Sequence, residues 1–323
     1  MAILITGASG LIASRVADRL AGAGERVVGH SRRPDAEIIE LVIGPEAREN
    51  ITWVAGDILD YGLLVETVRE NEVDAVIHCA AIMGDDIKAD PAYATRVNCA
   101  GTVNCFQAAK ELGLKKVIFL SSSAAFPARL PAKPREKWGV ADLAIYPFGL
   151  YGAAKLYGEH AAEYYYRTWG TDITTLRIGS ICYGVGHRHG KSADLMRELL
   201  LKPALGELGV VQYDPEATDT FLHADDAARA AVLVLAVKRE KNRGAVFDLR
   251  GPESSVKAIR DYVLELLPGA SITLLPGPSM ASIKDVDTTA TERDLGFRPH
   301  CSVEEGVRQT IDRMRRSHGL PPI

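Results

Sequence analysis

The sequence predicts an α/β fold: a doubly wound parallel sheet carrying a smaller C-terminal lobe. Three observations predict it. Short, wholly apolar runs alternate with segments of helical length along the chain. The apolar runs show no period-two alternation, as strands covered on both faces require. Several of them end in small or polar residues, as strand ends at a ligand-facing rim do.

Ala2 to Thr6 is an apolar run leading into Gly7 to Gly10, after which Leu11, Ile12, Val16 and Leu20 recur at helical spacing. That order predicts strand, tight loop and helix. Arg26 to Gly29 is a second run and ends at His30-Ser31-Arg32-Arg33. Ile51 to Ala55 leads to Gly56-Asp57, and Asp74 to Ile77 leads to His78-Cys79-Ala80-Ala81. Helical segments separate these strands: Tyr61 to Asn71, and Pro91 to Leu112, where Val97, Val103, Phe106 and Ala109 are spaced for burial. Lys116 to Leu120 is another strand and terminates in Ser121-Ser122-Ser123. Right-handed crossovers then bring the C-terminal ends of all these strands to one rim.

Beyond Ser123, the Pro-rich stretch from Pro127 to Pro147 predicts a surface loop, Tyr151 to Trp169 a helix and Thr174 to Ile178 a strand. From Gly179 to Thr218 glycines and a proline break the pattern, which predicts an excursion away from the sheet. Asp225 to Lys238 returns as a helix, Val246 to Leu249 as a strand and Val256 to Leu267 as a helix, and the tail to Arg316 adds helical pieces. Residues 1–178, completed by about 218–250, are expected to form the sheet domain, with 179–217 and 251–323 forming a substrate-binding lobe.

A formal net charge of −4 gives no pull toward nucleic acid or an anionic membrane, so small molecules are the expected partners. The apolar stretch Ala230 to Val237 is too short to cross a bilayer, and Ala2 to Ile5 is shorter than a signal-peptide core. Cys79, Cys99, Cys105, Cys182 and Cys301 form no C-x-x-C pair, and their odd number predicts reduced thiols in the cytoplasm. His187 and His189 stand without a second ligand cluster nearby, so no metal is expected.

Gly7-x-x-Gly10-x-x-Ala13 follows the first strand and opens the first helix. Glycine is needed there because a side chain would keep a pyrophosphate away from the backbone amides at the helix N-terminus. Gly7, Ser9, Gly10, Leu11 and Ile12 are therefore expected at a dinucleotide, with Ala13 packing helix on strand. At the end of the second strand stand Ser31, Arg32 and Arg33, with no carboxylate to repel a 2′-phosphate. A guanidinium offers a planar donor fork to that phosphate, which predicts NADP in preference to NAD.

Tyr151 and Lys155 lie one helical turn apart on one face. A neighbouring ammonium stabilises a phenolate and draws its proton exchange toward neutrality, as a general acid/base for alcohol and carbonyl interconversion requires. Ser123, at the end of the preceding strand, can donate a hydrogen bond to a substrate oxygen.

Thr6-Gly7-Ala8-Ser9-Gly10-Leu11-Ile12, Gly56-Asp57-Ile58, His78-Cys79-Ala80-Ala81, Ser121-Ser122-Ser123, Tyr151-Gly152-Ala153-Ala154-Lys155 and Phe221-Leu222-His223-Ala224-Asp225-Asp226 together resemble the extended short-chain dehydrogenases/reductases, the NAD-dependent epimerase/dehydratase group. The resemblance covers nearly the whole chain, including Leu295-Gly296-Phe297-x-Pro299. It implies a Rossmann sheet, a nicotinamide cofactor and a homodimer formed through the helices near Pro91 to Leu112 and Tyr151 to Trp169. By residue, it implies Tyr151 as proton donor and acceptor, Lys155 as the holder of the nicotinamide ribose, and Ser123 as the group orienting the substrate oxygen. Asp57 and Ile58 would flank adenine, and Ala80, beside Ala81, would line the cofactor channel. Asn98 matches a position near the family's active site or serves helix packing.

Departures from the family narrow the reaction. Ser123 is followed by Ala124 and Ala125 where dehydratases carry an Asp-Glu pair, which disfavours dehydration. Nucleotide-sugar epimerases carry diphosphate-gripping residues where this chain has Ser180 and Thr218-Asp219-Thr220, and Asp219 would repel such an anion. Arg177-Ile178-Gly179-Ser180 resembles uronate dehydrogenases. His187-Arg188-His189 is either a contact for a carboxylate or polar substrate or a wet surface loop. Met83, Ser122, Arg177, Ser180, His187 and Arg188 are the substrate-contact candidates. The leading expectation is a hydride-transferring oxidoreductase acting on a small hydroxy or keto compound, with sugars and sugar acids as candidates. An epimerase using nicotinamide transiently and a non-catalytic NAD(P) sensor are the alternatives.

Overall fold

The computed structural model describes residues 1–126, 147, 149–179, 181–186, 190–237, 246–278 and 286–323. Within them, strands β1 (Ala2–Thr6), β2 (Arg26–Ser31), β3 (Ile51–Ala55), β4 (Ala75–His78), β5 (Lys116–Ser122) and β6 (Ile173–Ile178) form one sheet, together with a later strand, Val246–Leu249. All neighbours in that seven-stranded sheet are parallel, in the order β3-β2-β1-β4-β5-β6 and then Val246–Leu249. The order reverses between β1 and β4, and a crevice opens outside the strand ends at such a reversal.

Both faces of the sheet are covered, which is why its strands read as unbroken apolar runs. Ile3, Ile5, Ile77, Ile118 and Leu176 pack on one side with Val16 and Ala17 of the helix Leu11–Gly22 and with Ala227 and Ala231 of the helix Ala224–Ala236. Leu4, Val76, Val117 and Phe119 pack on the other with Phe106 and Ala109 of Thr102–Leu112 and Ala162 and Tyr165 of Gly149–Trp169. Lys116, almost fully buried at the start of β5, directs its ammonium to the carbonyls of Val234 and Val237, satisfying acceptors that a helix C-terminus leaves open.

A second body of packed side chains lies outside the sheet. It contains β7 (Ile181–Tyr183), β8 (Gly209–Gln212) and β9 (Thr218–His223), and, after β10 (Val246–Leu249), β11 (Glu253–Ser255) and β12 (Ile272–Leu275). β9 pairs with β7 in parallel and with β11 antiparallel, while β12 pairs with β8. The helices Val256–Leu266 and Val303–Ser317 close over these strands through Ile259, Val263, Val307 and Ile311. Asp226 ties the two bodies together: one oxygen accepts from Arg229, the other from the amides of His300 and Cys301, each at 2.9 Å.

Two elements differ from the sequence reading. β2 runs two residues beyond the apolar run Arg26 to Gly29, through His30 and Ser31, and Ser31 pairs with Ala55. The segment expected as one long helix is three pieces: Pro91–Thr95, a wide π turn at Arg96–Gly101, and Thr102–Leu112. A Cβ on Gly101 would lie 2.5 Å from Ile58 Cγ2, so the π turn is held against the β3 end by a residue without a side chain. The predicted Pro-rich loop lies outside the described residues, apart from Pro147.

Candidate active site

A cleft of about 530 Å³ runs along the ends of β1 to β5, a size suited to a ligand of drug or cofactor dimensions. Its glycine loop is built by close approach: Gly7 has φ +66°, and a Cβ there would lie 2.8 Å from Ala80 Cα. Gly10 caps the helix Leu11–Gly22 without a side chain, so the first-turn amides beside Leu11 and Ile12 have no side-chain cap, and both residues line the cleft. This cradle fits a pyrophosphate, the group at the centre of a dinucleotide.

Around the loop, the Ser9 amide donates to Ser31 Oγ at 3.4 Å, and Ser31 is buried. Arg32 and Arg33 are exposed and line the same end of the cleft as Asp57 and Ile58. Arg32 Nη1 donates to the Tyr93 hydroxyl at 2.9 Å, and that hydroxyl donates to Asp57 Oδ2. Cys79, Ala80, Ala81, Ile82 and Met83 follow β4 as the cleft wall. Beneath them His78 bonds Thr6 Oγ1 at 2.7 Å and Thr102 Oγ1 at 3.0 Å, and burial drops its pKa to about 3, so the imidazole is neutral.

The chemical end forms where β5 stops. Helix Gly149–Trp169 presses onto the turn Ser123–Ala125 because Gly152 has no side chain; a Cβ there would lie 2.0 Å from the Ala124 carbonyl oxygen. Gly158 allows the same against Phe119, at 2.5 Å from Cζ. The approach brings Tyr151 and Lys155 into the cleft beside Ser121 and Ser122. Lys155 Nζ donates to the Leu120 carbonyl at 2.6 Å and lies 5.6 Å from the Tyr151 ring centre. Burial lowers its pKa to about 8 against the upward pull of Cys79 and Glu159. Burial pushes the Tyr151 phenol up to about 12, and its hydrogen bond with Ser122 works the other way. The expected acidification by Lys155 therefore does not govern the phenol; burial does.

The serine whose hydroxyl meets the phenol is Ser122, at the last position of β5, whereas Ser123 starts the following turn. Arg177, expected at the substrate, instead braces the fold. Its Nε and Nη2 reach Glu159 at 3.0 and 2.5 Å, its Nη1 reaches Asp248 at 3.2 Å, and its guanidinium stacks on Phe126 at 4.4 Å. Two carboxylates consume its charge, so it cannot serve an anionic substrate as a free cation. Asn98 exchanges two hydrogen bonds with the Ile82 backbone, at 2.7 and 2.8 Å, and so holds the cleft wall from behind. Asp219 is buried in β9 and accepts from the Thr220 amide at 2.7 Å. Ser180, His187 and Arg188 lie outside the described residues.

Sequence reasoning missed Tyr93 and Glu159. Glu159 was within reach, since it stands one turn beyond Lys155 on the Tyr151 face. Tyr93 meets Arg32 across 61 positions, which no local spacing reveals. Among the described residues no cluster of ligands could hold a metal ion, and no helix is long and apolar enough to cross a membrane.

Comparison with known proteins follows the same lines. A UDP-glucose 4-epimerase structure from Thermotoga maritima, with UDP-glucose, superposes with a TM-score of 0.79 at 24% identity, covering 98% of this chain and all of the other. A putative UDP-glucose 4-epimerase of Methanocaldococcus jannaschii is 24% identical over 322 residues, 98% of this chain and 99% of its own length. The bovine mitochondrial L-threonine 3-dehydrogenase is 24% identical over 315 residues, 94% of this chain and 80% of its own length. The family model for the NAD dependent epimerase/dehydratase family matches residues 3–249. With that match spanning most of the sequence and the glycine cradle opening into the Tyr151–Lys155 cleft, the chain belongs to the NAD dependent epimerase/dehydratase family and is an enzyme of the NAD-dependent oxidoreductase kind.

Proposed function

We propose that the protein is a dehydrogenase/reductase that exchanges a hydride between a nicotinamide dinucleotide, NADP before NAD, and a small hydroxy or keto compound. The observation that carries this reading is the convergence of the Tyr151 phenol, the Ser122 hydroxyl and the buried Lys155 ammonium in the cleft that begins at the glycine loop. When bound, the cofactor supplies the hydride acceptor or donor. The protein's residues do the rest. The first-turn amides near Leu11 and Ile12 would hold the pyrophosphate, Lys155 would hold ribose hydroxyls, and Arg32 and Arg33 would meet the adenosine end; all of these residues line the cleft. Ser122 Oγ holds the substrate oxygen, with Ser123 as its neighbour in the turn, and Tyr151 Oη gives or receives the proton there. A phenol with a pKa near 12 remains protonated at neutral pH and is ready to donate; Lys155 supplies the positive field that stabilises it once it has given the proton up.

The substrate proposal favours a compound without a nucleoside diphosphate, because Asp219 stands buried in β9 near where the resemblance asks for an anion clamp. Sugars, sugar acids and β-hydroxy amino acids fit, the last supported by the threonine dehydrogenase relative. An epimerase reading draws on the UDP-sugar epimerase relatives. Absorbance at 340 nm with added cofactor separates them, since a dehydrogenase changes it and an epimerase leaves it level. Tyr151→Phe is expected to lower turnover by about 10²- to 10⁴-fold while cofactor affinity stays unchanged, and retained turnover would overturn the assignment.

Two further expectations belong to this proposal. A homodimer is supported by Leu150, Tyr157 and Tyr164, which stand seven residues apart on one face of Gly149–Trp169 and are 52%, 48% and 60% exposed. A monomeric mass by light scattering would contradict it. A cytoplasmic setting is supported by Cys79, Cys99, Cys105, Cys182 and Cys301 all being free thiols.

A further inference from the structure

We infer that Tyr93 is a specificity-determining positioning residue that presets Arg32 for the 2′-phosphate of the cofactor; this rests on the proposed NADP preference. Tyr93 comes from the short helix Pro91–Thr95, reached after β4, and its ring stands in the cleft wall opposite the end of β2. Its hydroxyl has one proton, and that proton goes to Asp57 Oδ2. The oxygen is left to accept, and Arg32 Nη1 fills it at 2.9 Å. The Asp57 carboxylate is itself anchored by the Leu59 amide, which donates to Oδ1 at 3.0 Å. The chain of bonds therefore runs one way, from Arg32 through Tyr93 to a fixed carboxylate, and each bond polarises the next.

The guanidinium group of Arg32 also lies 5.6 Å from the Tyr93 ring centre, and that of Arg96 lies 5.8 Å from it. The ring thus gathers two cations at the adenosine end, beside Arg33. Arg32 is exposed, and an exposed arginine samples many rotamers that a ligand must otherwise freeze on binding. A single acceptor bond to Nη1 leaves the other guanidinium donors for a phosphate, which takes such a fork well. An unphosphorylated ribose makes no use of that fork, so the effect of Tyr93 falls on one cofactor and not the other.

The test is calorimetric titration of the full chain with NADP⁺, NAD⁺, adenosine 2′,5′-bisphosphate and 5′-AMP, for the wild type, Arg32→Ala and Tyr93→Phe. Tyr93→Phe keeps the ring and removes only the hydroxyl. Tighter wild-type binding of the two 2′-phosphate ligands, largely lost in Arg32→Ala, is the outcome on which the underlying preference stands; equal wild-type affinities would sink that preference itself. Given the preference, Tyr93→Phe is expected to weaken the 2′-phosphate ligands by about three- to tenfold and to leave NAD⁺ and 5′-AMP unchanged. Unchanged 2′-phosphate affinity in that variant, or equal weakening of all four ligands, would overturn the role given to Tyr93 while leaving Arg32 as the phosphate ligand.

Discussion

Replacing Glu159 by glutamine removes one negative charge from the network behind Tyr151 and Lys155, the proposed catalytic pair, while nearly preserving shape. Glu159 accepts from Arg177 Nε at 3.0 Å, from Arg177 Nη2 at 2.5 Å and from Ser121 Oγ at 2.5 Å, and its side chain is 7% exposed. A glutamine keeps one oxygen acceptor but turns an NH₂ donor toward a group that is also a donor. Breaking a buried ion pair costs about 3–5 kcal/mol when the remaining charge is stranded. Arg177 would not be stranded, since Asp248 stays 3.2 Å away and Phe126 stays beneath it, so a smaller loss of about 2–3 kcal/mol is expected. At about 2–4 °C per kcal/mol, the midpoint of thermal unfolding followed by circular dichroism should fall by roughly 5–10 °C.

The same substitution has a second readout. Glu159 raises the pKa of Lys155 against the burial that brings it to about 8. On the proposed role of Lys155 at the cofactor ribose, its protonated form favours binding, so affinity is expected to be strongest below that pKa and to weaken as pH rises through it. Glu159→Gln removes part of the upward pull, and the inflection in cofactor Kd against pH should move to below 8. A variant with an unchanged unfolding midpoint and an unshifted pH profile would refute the view that Glu159 links Arg177 to Lys155.

Ser122→Ala and Ser123→Ala should separate the two adjacent hydroxyls. Loss of Ser122, which meets the Tyr151 phenol, is expected to lower kcat on the order of a hundredfold, with Ser123→Ala affecting it less; the reverse order in steady-state kinetics would return the substrate oxygen to Ser123. Gly152→Ala forces a methyl to within 2.0 Å of the Ala124 carbonyl oxygen, a contact that backbone must move to relieve. An overpacking cost of about 1–3 kcal/mol, visible as a lower unfolding midpoint together with reduced turnover, is the expected result.

By itself the sequence determined the sheet and its rim. Ile3, Leu4 and Ile5 read as one apolar run because neighbouring side chains enter opposite cores, and that periodicity is local information. Gly7, Gly10, Tyr151 and Lys155 were legible for a similar reason: a tight loop and one helical turn are short-range geometries. Only the tertiary structure decided that Ser122 rather than Ser123 faces the phenol, since a one-residue difference in where β5 stops moves the hydroxyl to the other face. Arg177 looked available for a substrate until Glu159 and Asp248 were brought to it from a helix and from another strand. Arg32 likewise acquired its partner, Tyr93, across the cleft. An isolated charge and a neutralised one are identical in sequence, and what distinguishes them is the set of distant groups that folding carries within hydrogen-bond reach.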